Sequence, residues 1–262
     1  MSQIIRLARV ARTDFSYFFR TKWLMAILLT LSLSDMLVTA LVYGRIVPKT
    51  SFVSNYFQYL VPGIVVVGLF SAATDTGRRV WLALRDGVVQ YYMTLPLKTS
   101  GLVVANIISG GLGGLVYSGL LLLIASIVIP PQGAINAILV LPFLFVLSTG
   151  VAGLAAFFAS VSRRGEIYWA YAQAMQVSMV TISTVFYPAA LVSQLLPAPI
   201  ATIAEYNPLS LAAGVLRSSA FGANPLDPNA LVTLLATSLP LAVAGAIAYG
   251  FILRTIRING KP

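Results

Sequence analysis

The 262 residues include no cysteine and no histidine. Their absence excludes disulfide staples, a thiolate nucleophile, a Ser/His/Asp relay and the usual zinc, haem or copper ligands. Charge is scarce as well. Asp, Glu, Lys and Arg make up 9% of the chain, against about 25% in a soluble domain. No GxxxxGK[ST] phosphate loop occurs, and Gly260-Lys261 lacks the preceding glycines such a loop needs. The few carboxylates do not cluster as a metal site or proton relay requires. The sequence therefore argues against an enzyme, and no metal or cofactor is expected on this chain.

What fills the chain is apolar. Hydrophobic residues reach 58% and mean hydropathy is +0.90. Six continuous apolar runs read as membrane-spanning helices, at roughly 23–43, 57–73, 102–129, 134–161, 167–186 and 230–253. Each can cross about 30 Å of hydrocarbon at 1.5 Å per residue. The runs do not alternate, which excludes barrel strands. The expected fold is one all-α membrane domain over 1–262, with no separate soluble part. The first apolar run is too long for a cleavable signal peptide and lacks a small-residue cleavage site.

The net charge is +10. In a soluble protein that would suggest nucleic acid. Here the basic residues fall between the apolar runs, so no nucleic-acid partner is expected. With both termini inside, fourteen of the seventeen Lys and Arg residues lie on the cytoplasmic side. The positive-inside rule then predicts N-in, C-in in the cell membrane. Residues 3–20 show helical periodicity. Ile4, Leu7, Ala8, Ala11, Phe15 and Phe18 share one face, and Gln3, Arg6, Arg9, Thr13 and Ser16 tend to the other. An amphipathic helix lying at the inner surface is predicted.

Several residues stand out. Asp35 sits mid-way along the first span, where a carboxyl group costs at least about 2.5–3.5 kcal/mol. It either lines a substrate path or staples a neighbouring helix. Gly110 and Gly114 form a GxxxG pair that permits close helix packing. Tyr43, Tyr56, Tyr59, Trp81, Tyr91, Tyr92, Tyr168, Trp169, Tyr171, Tyr187 and Tyr206 read as an aromatic belt. The segment 187–222 is too apolar for a solvated loop. Asn207-Pro208 resembles a capped helix start and Gly222 a stop, so a short helix is predicted at 208–221. A second should follow Pro188, both dipping back into the outer leaflet.

The stretch RRVWLALRDGVVQYYMTLPLKTS, residues 78–100, is basic and polar between spans two and three. A helix is predicted from about Val80 to Thr94, weakened at Gly87 and ended by Pro96. Arg85-Asp86-Gly87 marks its exposed turn. Such a segment is either a lever gripped by a partner or a plain connector at the headgroups.

These residues resemble a family. YLVPG (59–63), Arg85 and Gly87 followed by Leu95-Pro96, then Phe186-x-Pro188, Leu196-Pro197, Asn207-Pro208 and Arg217 occur in the order found in permease subunits of ABC-2 type ABC exporters, in the drug- and lipid-export branch. The resemblance implies that 78–97 is a coupling helix docked on a separate ABC-type ATP-binding subunit. Arg78, Arg79, Arg85, Asp86, Gly87, Tyr91, Leu95 and Pro96 would make that contact. It implies an outer gate formed by Phe186, Pro188, Pro197, Asn207, Pro208 and Arg217. Two ATPase copies and a second permease subunit, identical or homologous, complete the assembly. ATP and Mg²⁺ would bind the partner ATPase. An amphiphilic substrate is expected: a lipid, a lipid-linked glycan or a hydrophobic drug. Two other classes share six apolar helices, a non-transporting membrane scaffold and an ion-coupled secondary transporter.

Overall fold

A computed structural model describes residues 8–13, 15–16, 22–34, 38, 42, 56–94, 98–130, 132–222 and 225–259. Among these the fold is all-helical, with no strand. The helices are α1 (Lys22–Ser34), α2 (Tyr56–Arg85), α3 (Val88–Thr94), α4 (Thr99–Val128), α5 (Ala134–Val161), α6 (Gly165–Gln176), α7 (Ala189–Leu195), α8 (Ala198–Glu205), α9 (Pro208–Val215) and α10 (Pro228–Asn259). Short π-helical turns extend α6 through Val177–Thr181 and α9 through Leu216–Ala220. A further helical stretch covers 8–13.

Among the described residues, four helices are long and apolar enough to cross a membrane: α2, α4, α5 and α10. They form a bundle in which α5 packs on α2, α4 and α10. Glycine sets the spacing where α10 crosses α5. A Cβ on Gly245 of α10 would lie 2.8 Å from the Gly153 carbonyl carbon of α5, so the two backbones meet where neither residue has a side chain. Gly110 and Gly114 of α4 instead make room for the side-chain hydroxyls of Thr76 of α2 and Ser148 of α5. The outer faces stay apolar: Leu123, Ile127, Ile135, Val232, Ile247 and Phe251 are all exposed. A bundle that is hydrophobic on both its inside and its outside suits a hydrocarbon solvent and not water.

Three expectations need correction. The second span does not stop near residue 73. Its helix continues to Arg85 because nothing between them, neither proline nor a helix-stopping glycine turn, interrupts it; Gly77 is instead a contact point, 2.6 Å from the Ala155 carbonyl oxygen if given a Cβ. The single helix predicted from Val80 to Thr94 is two helices, broken at Gly87. That residue adopts φ +76°, a left-handed conformation only glycine enters freely. The fifth run is not one helix to Phe186. Regular helix ends at Gln176, a π turn follows, and 182–187 is bent.

The N-terminal face is also rotated from the expected one. Val10 is buried against Val80, Leu84 and Val89, whereas Ala8 is exposed. Ile4, Leu7 and Phe18 lie outside the described residues, as does most of the later part of the first apolar run, Asp35 and Tyr43 included.

Candidate functional site

Two polar constructions stand at opposite ends of the bundle. The first is built around the bent segment 182–187. Bent backbone among apolar helices strips carbonyls of their helical partners, and each must find a donor. Arg217, on the π turn after α9, supplies three. Its Nε donates to the Tyr59 carbonyl at 2.9 Å, Nη1 to Thr184 O at 3.3 Å and Nη2 to Val185 O. The guanidinium also lies over the Tyr59 ring, 3.7 Å from its centroid. The Tyr59 hydroxyl is 2.7 Å from Thr184 O and 2.8 Å from Tyr187 O, serving the two with one proton. Tyr56 donates to Phe186 O at 2.7 Å. Tyr56 and Tyr59 are thus tied to main chain rather than being simple belt residues.

Gly63 explains why the segment can come so close. A Cβ there would lie 2.6 Å from Val185 O and 3.2 Å from Arg217 Nη2. Pro62, one residue earlier, has no N–H and leaves the first turns of α2 open to outside donors.

Asn207 closes the same knot from the other side. Its side-chain oxygen accepts from Leu209 N at 3.0 Å, capping α9, with Pro208 at the first helical position. Its amide group reaches the carbonyls of Met179, Ser178 and Ile182 at 3.0, 3.4 and 3.4 Å. Those are carbonyls at the frayed end of the π turn. Ser210 links onward, accepting from Thr184 N and donating to Ala204 O. Pro188 and Pro197 sit just ahead of α7 and α8 and start them. The segment therefore carries three short helices where the sequence predicted two. The signal for the third was Leu196-Pro197-Ala198-Pro199, a helix stop and restart.

The second construction lies at the far end of α2. Asp75, 7% exposed, is 2.6 Å from Arg78 Nε and 3.4 Å from Arg79 Nε. Arg79 also donates to Thr76 Oγ1 at 3.2 Å. Tyr168 of α6 donates to Thr74 O at 3.0 Å and is buried, so it too departs from the expected belt. Arg78 and Arg79 were expected among the residues that touch a partner ATPase; helical spacing of three and four from Asp75 puts both beside its carboxylate. Asp75 carries no signal in the sequence, because a single acid just past an apolar run gives no pattern.

The turn beyond them is exposed. Arg85 stacks over Trp81, 5.1 Å from the ring centroid, and its Nε donates to Asp86 Oδ1 at 2.8 Å. Gly87 follows, then α3 with Tyr91 exposed on it. Leu95 and Pro96 lie outside the described residues. Among the described residues no group of three acidic side chains is placed to hold a metal ion. No family model and no curated protein matches the chain.

Proposed function

We propose that the chain is the permease subunit of an ATP-driven ABC-2 type exporter, joined to a separate ATP-binding subunit. The observation that carries this reading is α2. It is a single helix that begins in the Tyr59–Arg217 knot and ends at the exposed Arg85-Asp86-Gly87 turn. Tyr59 and Arg85 are about 39 Å apart along its axis at 1.5 Å per residue. A push on the turn reaches the bent segment through one rigid element.

In this reading the protein has six spans with both termini in the cytoplasm of a prokaryotic cell. The turn with α3 is the cytoplasmic coupling segment, and α7 to α9 form the re-entrant outer gate. Two permease subunits and two ATPases make the working unit, with ATP and Mg²⁺ held by the ATPases. The substrate is amphiphilic, in keeping with an interior of apolar side chains, tyrosines and few charges. The test replaces Arg85, Asp86 and Gly87 by alanine in the reconstituted complex. Substrate-stimulated ATP hydrolysis and transport should fall at least tenfold while membrane insertion is unchanged. Unaltered transport would sink the proposal.

A further inference from the structure

A groove opens between α4 and α10, at the end of the bundle that carries the Arg85 turn. The two helices run antiparallel there, in a register set by their contacts. Arg257 Nη1 donates to Thr99 Oγ1 at 3.2 Å. A Cβ on Gly250 would lie 3.6 Å from Val103 Cγ2. Asn106 donates to the Tyr249 hydroxyl at 2.8 Å. α10 packs chiefly on α5, and glycine at 250 leaves its α4 side without a side chain to fill the gap. The result is a cavity of about 340 Å³ walled by Val103, Val104, Ala246, Ile247 and Phe251. Ser100 and Arg254 line the end nearer the helix termini. Val104, Ile247 and Phe251 are exposed, so the groove opens onto the apolar outside of the bundle.

Charge marks what the groove takes. α10 has no charged residue from Pro228 to Leu253, and α4 has none at all. Arg254 and Lys98 therefore stand where the two apolar stretches end, which is headgroup level for helices that cross a bilayer. Arg257 joins them one turn beyond Arg254, and Arg254, Arg257, Lys98 and Ser100 are all exposed. Neither helix contains an acid. Among the described residues the ion pairs lie elsewhere, on Arg78, Arg79 and Arg85. An inorganic anion would leave the apolar walls unused, and a neutral lipid would leave the cations without a counter-charge. Basic pockets between spanning helices at this level receive anionic lipid headgroups.

We propose that this groove binds one anionic phospholipid, with its phosphodiester on Arg254 and Ser100 and an acyl chain along Val103, Ile247 and Phe251. From residue 254 to residue 246 the groove runs about 12 Å at 1.5 Å per residue. That is most of the hydrocarbon depth of one leaflet, about 15 Å. The bound lipid ties the start of α4 to the end of α10. The inference needs only a membrane-embedded bundle and stands apart from the exporter reading.

Native mass spectrometry of the full chain, delipidated in detergent, tests it with dioleoyl phosphatidylglycerol, dioleoyl phosphatidylcholine and inorganic phosphate as probes. One phosphatidylglycerol should be retained per chain, at least tenfold more strongly than phosphatidylcholine. Arg254→Gln should lower that retention about tenfold, the effect of one hydrogen bond to a charged group, with unchanged thermal unfolding. Gly250→Leu, which fills the groove, should lower it as far. Arg12→Gln is the control, on the helical stretch 8–13 that packs against α2 and α3 through Val10, and it should retain the lipid in full. If Gly250→Leu fails to fold, Arg254→Gln carries the test, since its side chain is exposed. Equal retention of phosphatidylcholine overturns the proposal, as does full retention in folded Arg254→Gln. An equal loss in Arg12→Gln would show that a general basic surface holds the lipid, and would overturn the groove. Displacement of the lipid by an equal concentration of inorganic phosphate would show a soluble-ion site and overturn it too.

Discussion

Arg217 reaches both parts of Tyr59 at once. Its guanidinium lies 3.7 Å from the centre of the ring, and its Nε donates to the same residue's carbonyl. Arg217→Ala removes the stacking and strips the carbonyls of Tyr59, Thr184 and Val185 of this donor. The expected loss is about 3–4 kcal/mol, from unmade buried bonds at about 1–3 kcal/mol each. Tyr59→Phe keeps the stacking and loses only the hydroxyl, for about 1–2 kcal/mol. Thermal unfolding in detergent should rank wild type above Tyr59→Phe and that above Arg217→Ala. Arg217→Lys should fall near the alanine variant, since an ammonium cannot fork across three carbonyls.

Gly63 makes a sharper claim about distance. An added methyl would sit 2.6 Å from Val185 O, on main chain that Arg217 already holds. Gly63→Ala should cost about 1–3 kcal/mol, as overpacking does. Gly119 in α4 is the control, because no atom lies within 4 Å of its added Cβ. There the same change should be neutral or stabilising by up to about 1 kcal/mol, from helix propensity alone. Equal melting shifts in the two variants would show that the close approach to Val185 is not what selects glycine.

The long helices were legible in the sequence because length and continuous apolarity are a one-dimensional signal. The Ala134–Val161 helix has the bounds the run itself suggests. The α9 start at Asn207-Pro208 was legible for a different reason, a cap whose chemistry is local. What escaped was long-range. Nothing near Tyr56 or Tyr59 in sequence tells that their hydroxyls meet carbonyls more than 120 residues away. An interface tyrosine and a backbone-tying tyrosine have the same neighbours in the chain. Asp75 was hidden likewise, since its meaning depends on the helix running past residue 73. Of the residues expected at the outer end, Phe186, Asn207 and Arg217 come together around one bent segment, while Pro188 and Pro197 begin helices beside it.

Asn207 performs two tasks that one substitution separates. Asn207→Asp keeps an oxygen to accept from Leu209 N, so the α9 cap survives. It replaces the amide donor by a carboxylate facing the carbonyls of Ser178, Met179 and Ile182. Repulsion and burial both disfavour the ionised form, so its folded pKa lies above the unfolded value. The sign follows. The variant should be less stable than wild type at neutral pH, and the deficit should shrink as pH falls through the raised pKa. Parallel melts of wild type and variant between pH 7.5 and about pH 4 check this. A deficit that grows on acidification would show that the amide donors are unimportant.

Asp75 poses the question of whether a buried acid between two arginines stabilises the fold or serves only specificity. Its two partners differ in their freedom. The Arg78 side chain is 27% exposed, whereas that of Arg79 is 9% exposed. Asp75→Asn takes the Asp75 carboxylate away from the more buried guanidinium, at an expected cost of about 3–5 kcal/mol. Removing the trapped cation as well should recover much of the loss. The double variant Asp75→Asn with Arg79→Met is expected to melt above the single variant, because an apolar side chain of similar length needs no counter-charge. Double-mutant analysis of the unfolding temperatures measures the coupling. Additive losses, with the double variant below the single, would mean that Arg79 is held chiefly by contacts other than the Asp75 carboxylate.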